Sequence, residues 1–397
     1  MAKKKNTEDR NIDMLADITK LTGGTTLDLA GEVPYFVDTG NFALNYMCSG
    51  RFVGGGFPGG RIIEVYGPPA TSKSLLGYCC LGAVQRMGGI AVLLDCERAG
   101  NAEFAERAGN VDSTKLIVYE PVSIQQVESK IIAATKAIRK FYGVEIPILF
   151  VWDSIGVTPT EREWSEMDLP ENPTQAQLKA VGSERPGERA RAAGDLLRKI
   201  NPFLNEQNAT LFIINQIRKT ISTMPYANPN VGAGGGEALK FYASCRLETA
   251  VGKTIETKNE LPLGVNLRFT NRKSRSSTPG LKTKGIQLFF DSGINPLGGL
   301  LSIMIANERV VPYAKGRYRV DDKYSDGQDI TFSANKEKNE IPLEVLLKAP
   351  KLVDAENEEQ LRDYLKPYSK AIEFANSDSI VEKSALEDEI KGTSEEE

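Results

Sequence analysis

Ile62-Ile-Glu-Val-Tyr66-Gly67-Pro68-Pro69-Ala70-Thr71-Ser72-Lys73-Ser74 is the stretch on which the fold turns. A short β-type run, Ile62 to Tyr66, passes into a loop, and a helical pattern follows over Lys73–Met87. Strand, loop and helix in that order gather backbone N–H groups and the positive end of a helix around one point, which suits a triphosphate. In this reading Gly67, Pro68, Pro69, Ala70, Thr71 and Ser72 cradle phosphate oxygens, Lys73 reaches the β- and γ-phosphates, and Ser74 ligates Mg²⁺. Ser72 stands where the pattern G-x-x-x-x-G-K-[ST] has its second glycine, so the loop either keeps an ordinary dihedral there or carries strain.

Further β-type runs lie at Ile90–Leu94, Ile148–Trp152 and Leu211–Asn215, with helical patterns at Ala102–Ala108, Ile124–Tyr142 and Glu188–Glu206. This alternation predicts an α/β fold, a mostly parallel central sheet flanked by helices. Val265–Thr270 and Ile286–Phe290 extend it as a hairpin-like pair.

The runs deliver polar residues to one edge, where ligands of open α/β sheets gather. Asp153, directly after Ile148–Trp152, is placed to hold Mg²⁺ beside the phosphate loop. Leu93-Leu-Asp95-Cys-Glu97 brings Glu97 to the same edge to polarise an attacking water, with Asp95 an alternative for that role. Gln216 follows the fourth run and can touch a γ-phosphate, passing the difference between ATP and ADP into the glycine-rich loop beyond it.

The 397 residues, 41% hydrophobic, suffice for a large core and a smaller appended domain. No stretch approaches a membrane span and the first residues lack the apolar segment of a secretory signal, which predicts a soluble, cytoplasmic protein. There is no histidine, which excludes Ser-His-Asp and Cys-His nucleophile chemistry. Five scattered cysteines read as reduced core thiols. The net charge of −4 hides an uneven distribution: 268–284 holds six basic residues and no acidic one, while 376–397 holds eight acidic residues against Lys383 and Lys391.

Four divisions are expected: an arm over 1–32 with Ile12, Leu15, Ile18 and Leu21 at helical spacing; a core over 33–312; a small separate C-terminal domain over 313–375; and an acidic disordered tail over 376–397. The arm helix packs either on its own domain or on a neighbouring subunit. In the C-terminal domain, apolar patterns run over Leu343–Leu347 and Glu359–Phe374.

Gly60-Arg-Ile-Ile-Glu-Val-Tyr-Gly-Pro68, Asn215-Gln-Ile-Arg218 and Ala238-Leu-Lys-Phe-Tyr-Ala-Ser244 resemble blocks of bacterial RecA. The irregular phosphate loop, Arg272-Lys-Ser-Arg275 and Phe290-Asp-Ser-Gly-Ile-Asn-Pro-Leu-Gly-Gly-Leu-Leu301 look closer to the UvsX-like recombinases of tailed bacteriophages. The likeness covers roughly 34–312 and fades outside it. It implies a RecA-like ATPase core with Lys73 and Ser74 on phosphate and Mg²⁺, Glu97 as base, Asp153 on Mg²⁺ and Gln216 as γ-phosphate sensor. It also places Phe104 against adenine, though a core role suits that residue as well. Lys273 and Arg275 would reach across a subunit interface to the neighbour's ATP, Arg275 standing where bacterial RecA has lysine. Phe241, with Lys240 beside it, would be the interface aromatic. Arg191, Arg198, Arg218, Gly235 and Gly236 would contact DNA, whereas Glu237 stands where relatives carry an amide and would repel phosphate.

The implied function is an ATP- and Mg²⁺-dependent recombinase that forms helical filaments on single-stranded DNA and exchanges it with homologous duplex DNA. A recombination mediator and a single-strand-binding protein are the implied partners, and the host cytoplasm the location for a viral protein. The alternatives are a RecA-fold DNA helicase and a weakly hydrolysing filament or mediator subunit.

Overall fold

The computed structural model describes residues 7–25, 32–167, 169–170, 174–177, 187–219, 231–233, 237–334, 339–377 and 380–384. It divides into two units, 1–34 and 35–397. The first contains helix α1 (Thr7–Thr22), whose Leu15, Ile18 and Leu21 are exposed.

The second unit opens with β1 (Phe36–Val37), α2 (Phe42–Ser49), β2 (Phe57–Pro58), β3 (Ile62–Gly67), α3 (Lys73–Arg86), β4 (Ile90–Asp95), α4 (Ala102–Gly109), β5 (Leu116–Tyr119), α5 (Ile124–Tyr142) and β6 (Ile148–Asp153). It continues through α6 (Glu161–Met167), α7 (Glu188–Glu206), β7 (Ala209–Lys219), β8 (Val231–Ala233), α8 (Ala238–Tyr242), β9 (Cys245–Thr257), β10 (Pro262–Ser274), β11 (Lys282–Phe289), β12 (Gly293–Ile294) and α9 (Leu300–Ala306). It ends with β13 (Val310–Ala314), β14 (Arg317–Val320), β15 (Thr331–Ser333), α10 (Leu343–Lys348), α11 (Glu358–Leu365), α12 (Ser369–Ala375) and β16 (Ile380–Ser384).

The central sheet has the order β12-β11-β10-β9-β3-β7-β6-β4-β5, with β8 beside β7 and β16 antiparallel beside β9, so that Ile380–Ser384, expected in a disordered tail, is instead a sheet strand. From β9 to β5 all neighbours run parallel. Beyond β9 the strands are antiparallel hairpins, including the β10–β11 pair that the sequence pattern predicts.

Both faces of the parallel part are buried because successive strand residues point opposite ways. Ile63, Leu149, Val151, Phe212 and Ile214 join Leu76 and Leu81 of α3 in one core. Ile62, Ile148, Phe150, Trp152, Leu211 and Ile213 join α5 and α7 in another. Emptying the fully buried Trp152 site by Trp152→Ala would cost on the order of 3–5 kcal/mol.

A composition change does occur at residue 312, but the packed core does not break there. Tyr318, Leu352, Leu361 and Tyr368 belong to the same hydrophobic cluster as Phe42, Leu44 and Phe269. Asp38 strengthens the link: its Oδ1 accepts from Tyr364 OH at 2.8 Å and its Oδ2 from Tyr368 OH at 2.7 Å. Instead of standing apart, described residues of 313–375 therefore share a core with residues from Val37 onward. The single amphipathic stretch expected over Glu359–Phe374 is two helices, because Pro367 lacks the N–H that would continue the first.

Candidate functional site: a phosphate-loop cavity at the sheet edge

The loop between β3 and α3 packs tightly. A Cβ on Gly67 would lie 2.3 Å from Thr249 Oγ1, so only glycine lets β3 pass β9 at this point. The Thr71 hydroxyl bonds the Pro68 carbonyl at 2.9 Å and Thr249 Oγ1 at 2.7 Å, which closes the loop. Ser72 adopts φ 51° and ψ 32°, left-handed backbone, and Ala70 adopts φ 58°. Of the two conformations open at Ser72, the loop takes the strained one, the conformation for which glycine is ordinarily used.

Lys73 Nζ folds over this loop, donating to the Pro68 carbonyl at 2.6 Å and to Thr71 Oγ1 at 3.1 Å. Burial lowers its pKa, opposed by the nearby carboxylates of Asp153 and Glu97. Asp153, at the end of β6, accepts a hydrogen bond from Ser74; burial is the largest cause pushing its pKa up to about 6, with Glu97 and Asp95 adding like charge.

Asp95 and Glu97 take different tasks. The buried Asp95 carboxylate accepts from the backbone N–H of Gly100 at 2.8 Å and of Ala99 at 3.3 Å, holding the turn after β4. Glu97 reaches the cavity, accepting from Ser154 Oγ at 2.7 Å and from Gln216 Nε2 at 3.4 Å. Such a carboxylate, held by a hydroxyl and an amide, can orient a water.

The cavity has a volume of about 440 Å³. Its wall brings together Pro69 to Leu75, Glu97, Phe104, Asp153 and Gln216 from the predicted set and its neighbours, with Ile214, Val265 and Phe290. Polar groups gather at the loop, while Phe104, Val265 and Phe290 supply apolar surface suited to a flat base. Phe104 also meets Tyr78 edge-on at 6.1 Å, so its core and cavity roles coexist. Phe290 and Ser154 were not singled out from the sequence, although each adjoins or opens a quoted block.

Among the described residues no group of three acidic or thiol side chains could hold a metal alone. Ser74 and Asp153 instead present the one-hydroxyl, one-carboxylate set that Mg²⁺ takes when substrate phosphates complete its shell. The residues present fit a magnesium-bound nucleoside triphosphate.

Neither Lys273 nor Arg275 lines this cavity. Lys273 Nζ donates to the carbonyls of Lys240 at 2.7 Å and Phe241 at 2.8 Å, at the end of α8. Phe241 is 71% exposed, and Lys240 pairs with Glu237 at 2.5 Å. Arg191 is exposed, and Arg198 pairs with Asp195 at 3.0 Å. Glu188, which opens α7, is paired with Arg162 at 2.6 Å. The Arg218 backbone pairs with Gly232 between β7 and β8; its side chain, Gly235 and Gly236 lie outside the described residues. A second cavity, about 550 Å³, is lined in part by Arg268, Arg272, Lys282 and Lys284. Among the described residues no helix is long and apolar enough to cross a membrane.

The sheet order and the phosphate-loop cavity define a RecA-like α/β protein. The sequence model described as the RecA N-terminal domain matches residues 33–295, and the chain belongs to the RecA family. It is 32% identical over 284 residues to Protein RecA of Mesomycoplasma hyopneumoniae, covering 71% of this chain and 76% of that one. It is 29% identical over 304 residues to Protein RecA of Helicobacter hepaticus, covering 77% and 81%. The chloroplastic DNA repair protein recA homolog 1 of Arabidopsis thaliana is 30% identical over 278 residues, covering 70% of this chain and 58% of that one.

Proposed function

We propose that the protein is a DNA-dependent ATPase acting in recombination and repair, which polymerises on single-stranded DNA and exchanges it with homologous duplex DNA. The observation that carries this reading is the convergence of Lys73, Glu97, Asp153 and Gln216 on one cavity, in a member of the RecA family. Lys73 holds the β- and γ-phosphates of ATP, and Phe104 and Phe290 flank the base. Ser74 and Asp153 would hold Mg²⁺, which when bound neutralises phosphate charge. Glu97, oriented by Ser154, positions the attacking water and receives its proton. Gln216 senses the γ-phosphate, and Lys273 and Arg275 contact the ATP of a neighbouring subunit through the filament interface that Phe241 and Lys240 share.

Arg191, Arg198, Arg218 and the backbone of Gly235 and Gly236 track DNA phosphates without reading sequence. The basic run 268–284 supplies further positive surface, and the acidic tail competes with DNA or recruits a basic mediator. A single-strand-binding protein is the other expected partner. The resemblance of the phosphate loop and of 290–301 favours kinship with phage UvsX-like recombinases and a place in the cytoplasm of the host. The test is strand exchange between circular single-stranded DNA and homologous linear duplex with ATP and Mg²⁺. Joint molecules that require homology support the reading; duplex unwinding without homology would turn it to a helicase.

A further inference from the structure

One buried charged group takes no part in the reaction described above. Glu64 interrupts the apolar run of β3, where nothing in the strand pattern asks for a carboxylate, and is fully buried. Its Oε1 accepts from Asn215 Nδ2 at 2.8 Å, and its Oε2 accepts from Arg246 Nε. Arg246 is itself 9% exposed, and its guanidinium lies 4.7 Å from the centre of the Tyr66 ring.

These residues form a row across four adjacent strands. Asn215 ends the apolar part of β7 and directly precedes Gln216. Glu64 on β3 stands in register with Arg246 on β9, and Arg246 stands in register with Lys273 on β10. Two positive side chains are thus set against each other, with the Glu64 carboxylate beside them. Lys273 responds to all of them: its pKa is lowered by burial first, then by Arg275 and Arg246, while Glu64 raises it.

Building on the recombinase reading, we propose that Glu64 and Arg246 are positioning residues, tying the strand that carries Gln216 to the strand that carries Lys273 and leads directly into Arg275. Any movement of Gln216 on its own subunit's nucleotide is then felt through Asn215, Glu64 and Arg246 by the basic pair presented to the next subunit. A buried ion pair adds little stability over well-packed apolar residues, so stability alone does not account for one in this strand.

The experiment uses the full chain as wild type, Arg246→Gln, Arg246→Lys and the double variant Glu64→Met with Arg246→Met. Thermal unfolding, fluorescent ADP binding without DNA, and kcat and KM for ATP with single-stranded DNA are measured on each. The expected result is a stimulated kcat roughly 10–100-fold lower in every folded variant, as for small misplacements of reacting groups, with KM and ADP affinity within about 2-fold. The double variant should regain thermal stability and not kcat, and Arg246→Lys should fall between Arg246→Gln and wild type. A merely structural role predicts that kcat returns with stability. Any folded variant keeping stimulated kcat within about 2-fold of wild type overturns the inference alone. A wild type without DNA-stimulated turnover overturns the recombinase reading and the inference with it.

Discussion

Gln216 Nε2 lies 3.4 Å from Glu97 Oε1, so the amide after one apolar run touches the carboxylate that follows the end of another strand. With both facing the cavity of the phosphate loop, they are expected to act on the attacking water and the γ-phosphate together. Glu97→Gln should lower stimulated kcat by roughly 10²–10⁴-fold with nucleotide binding retained, because it would remove the proposed general base and keep the shape. Gln216→Ala should abolish most of the DNA stimulation while leaving KM for ATP within about 3-fold. Steady-state hydrolysis with and without DNA measures both.

The Asp153 carboxyl has an ordinary value of 3.8 and is pushed up to about 6, chiefly by burial, so the folded chain holds this proton more tightly than the unfolded one. Its contribution to stability is fully present below about pH 4 and is lost as pH rises through about 6, an effect on the order of 3 kcal/mol. Melting temperature against pH, without Mg²⁺, should show this decline, and Asp153→Asn should flatten it. Mg²⁺ affinity should run the opposite way, falling as pH drops below about 6, because a protonated carboxyl is a poor ligand.

The left-handed Ser72 gives a test of loop strain. Ser72→Gly should be neutral to stabilising by about 1 kcal/mol, with turnover at least that of wild type. Ser72→Val should destabilise by about 1–2 kcal/mol, since β-branching makes this backbone harder still. At the other end of the loop, Gly67→Ala should displace the loop from Thr249 and abolish nucleotide binding, while Gly156→Ala, with no heavy atom within 4 Å of its added Cβ, should be silent. Chemical denaturation and ADP titration check each.

These outcomes also mark what the chain made legible. Ile62–Tyr66, Ile90–Leu94, Ile148–Trp152 and Leu211–Asn215 stood out because strands buried on both faces are continuously apolar, and their helices because each carries an apolar stripe. β9 was not legible: Arg246, Glu248, Thr249, Gly252 and Lys253 break its apolar pattern, although it lies in the middle of the sheet. The continuity of 313–375 with the core was hidden for another reason. It depends on Tyr364 and Tyr368 meeting Asp38 more than 320 residues away, a contact no local pattern encodes. Within the site, Glu97 and Asp95 were indistinguishable by spacing; only the backbone N–H groups of Ala99 and Gly100 separate them.

If Lys273 and Arg275 act on a neighbour's nucleotide, two defective subunits should complement. Lys73→Ala and Lys273→Ala alone should each be nearly inactive in DNA-stimulated hydrolysis. In an equal mixture, about one quarter of head-to-tail interfaces would join an intact Lys73 to an intact Lys273, and activity should rise to about that share. Mixtures no more active than their components would place both lysines in one subunit's site.

The most direct measurement is ATP hydrolysis with and without single-stranded DNA, on wild type and Lys73→Ala, with electron microscopy of the same samples. The account predicts turnover strongly stimulated by DNA, regular filaments in the stimulated samples, and loss of turnover in Lys73→Ala. Wild-type hydrolysis indifferent to DNA, absence of filaments, or ordinary turnover in Lys73→Ala would contradict it.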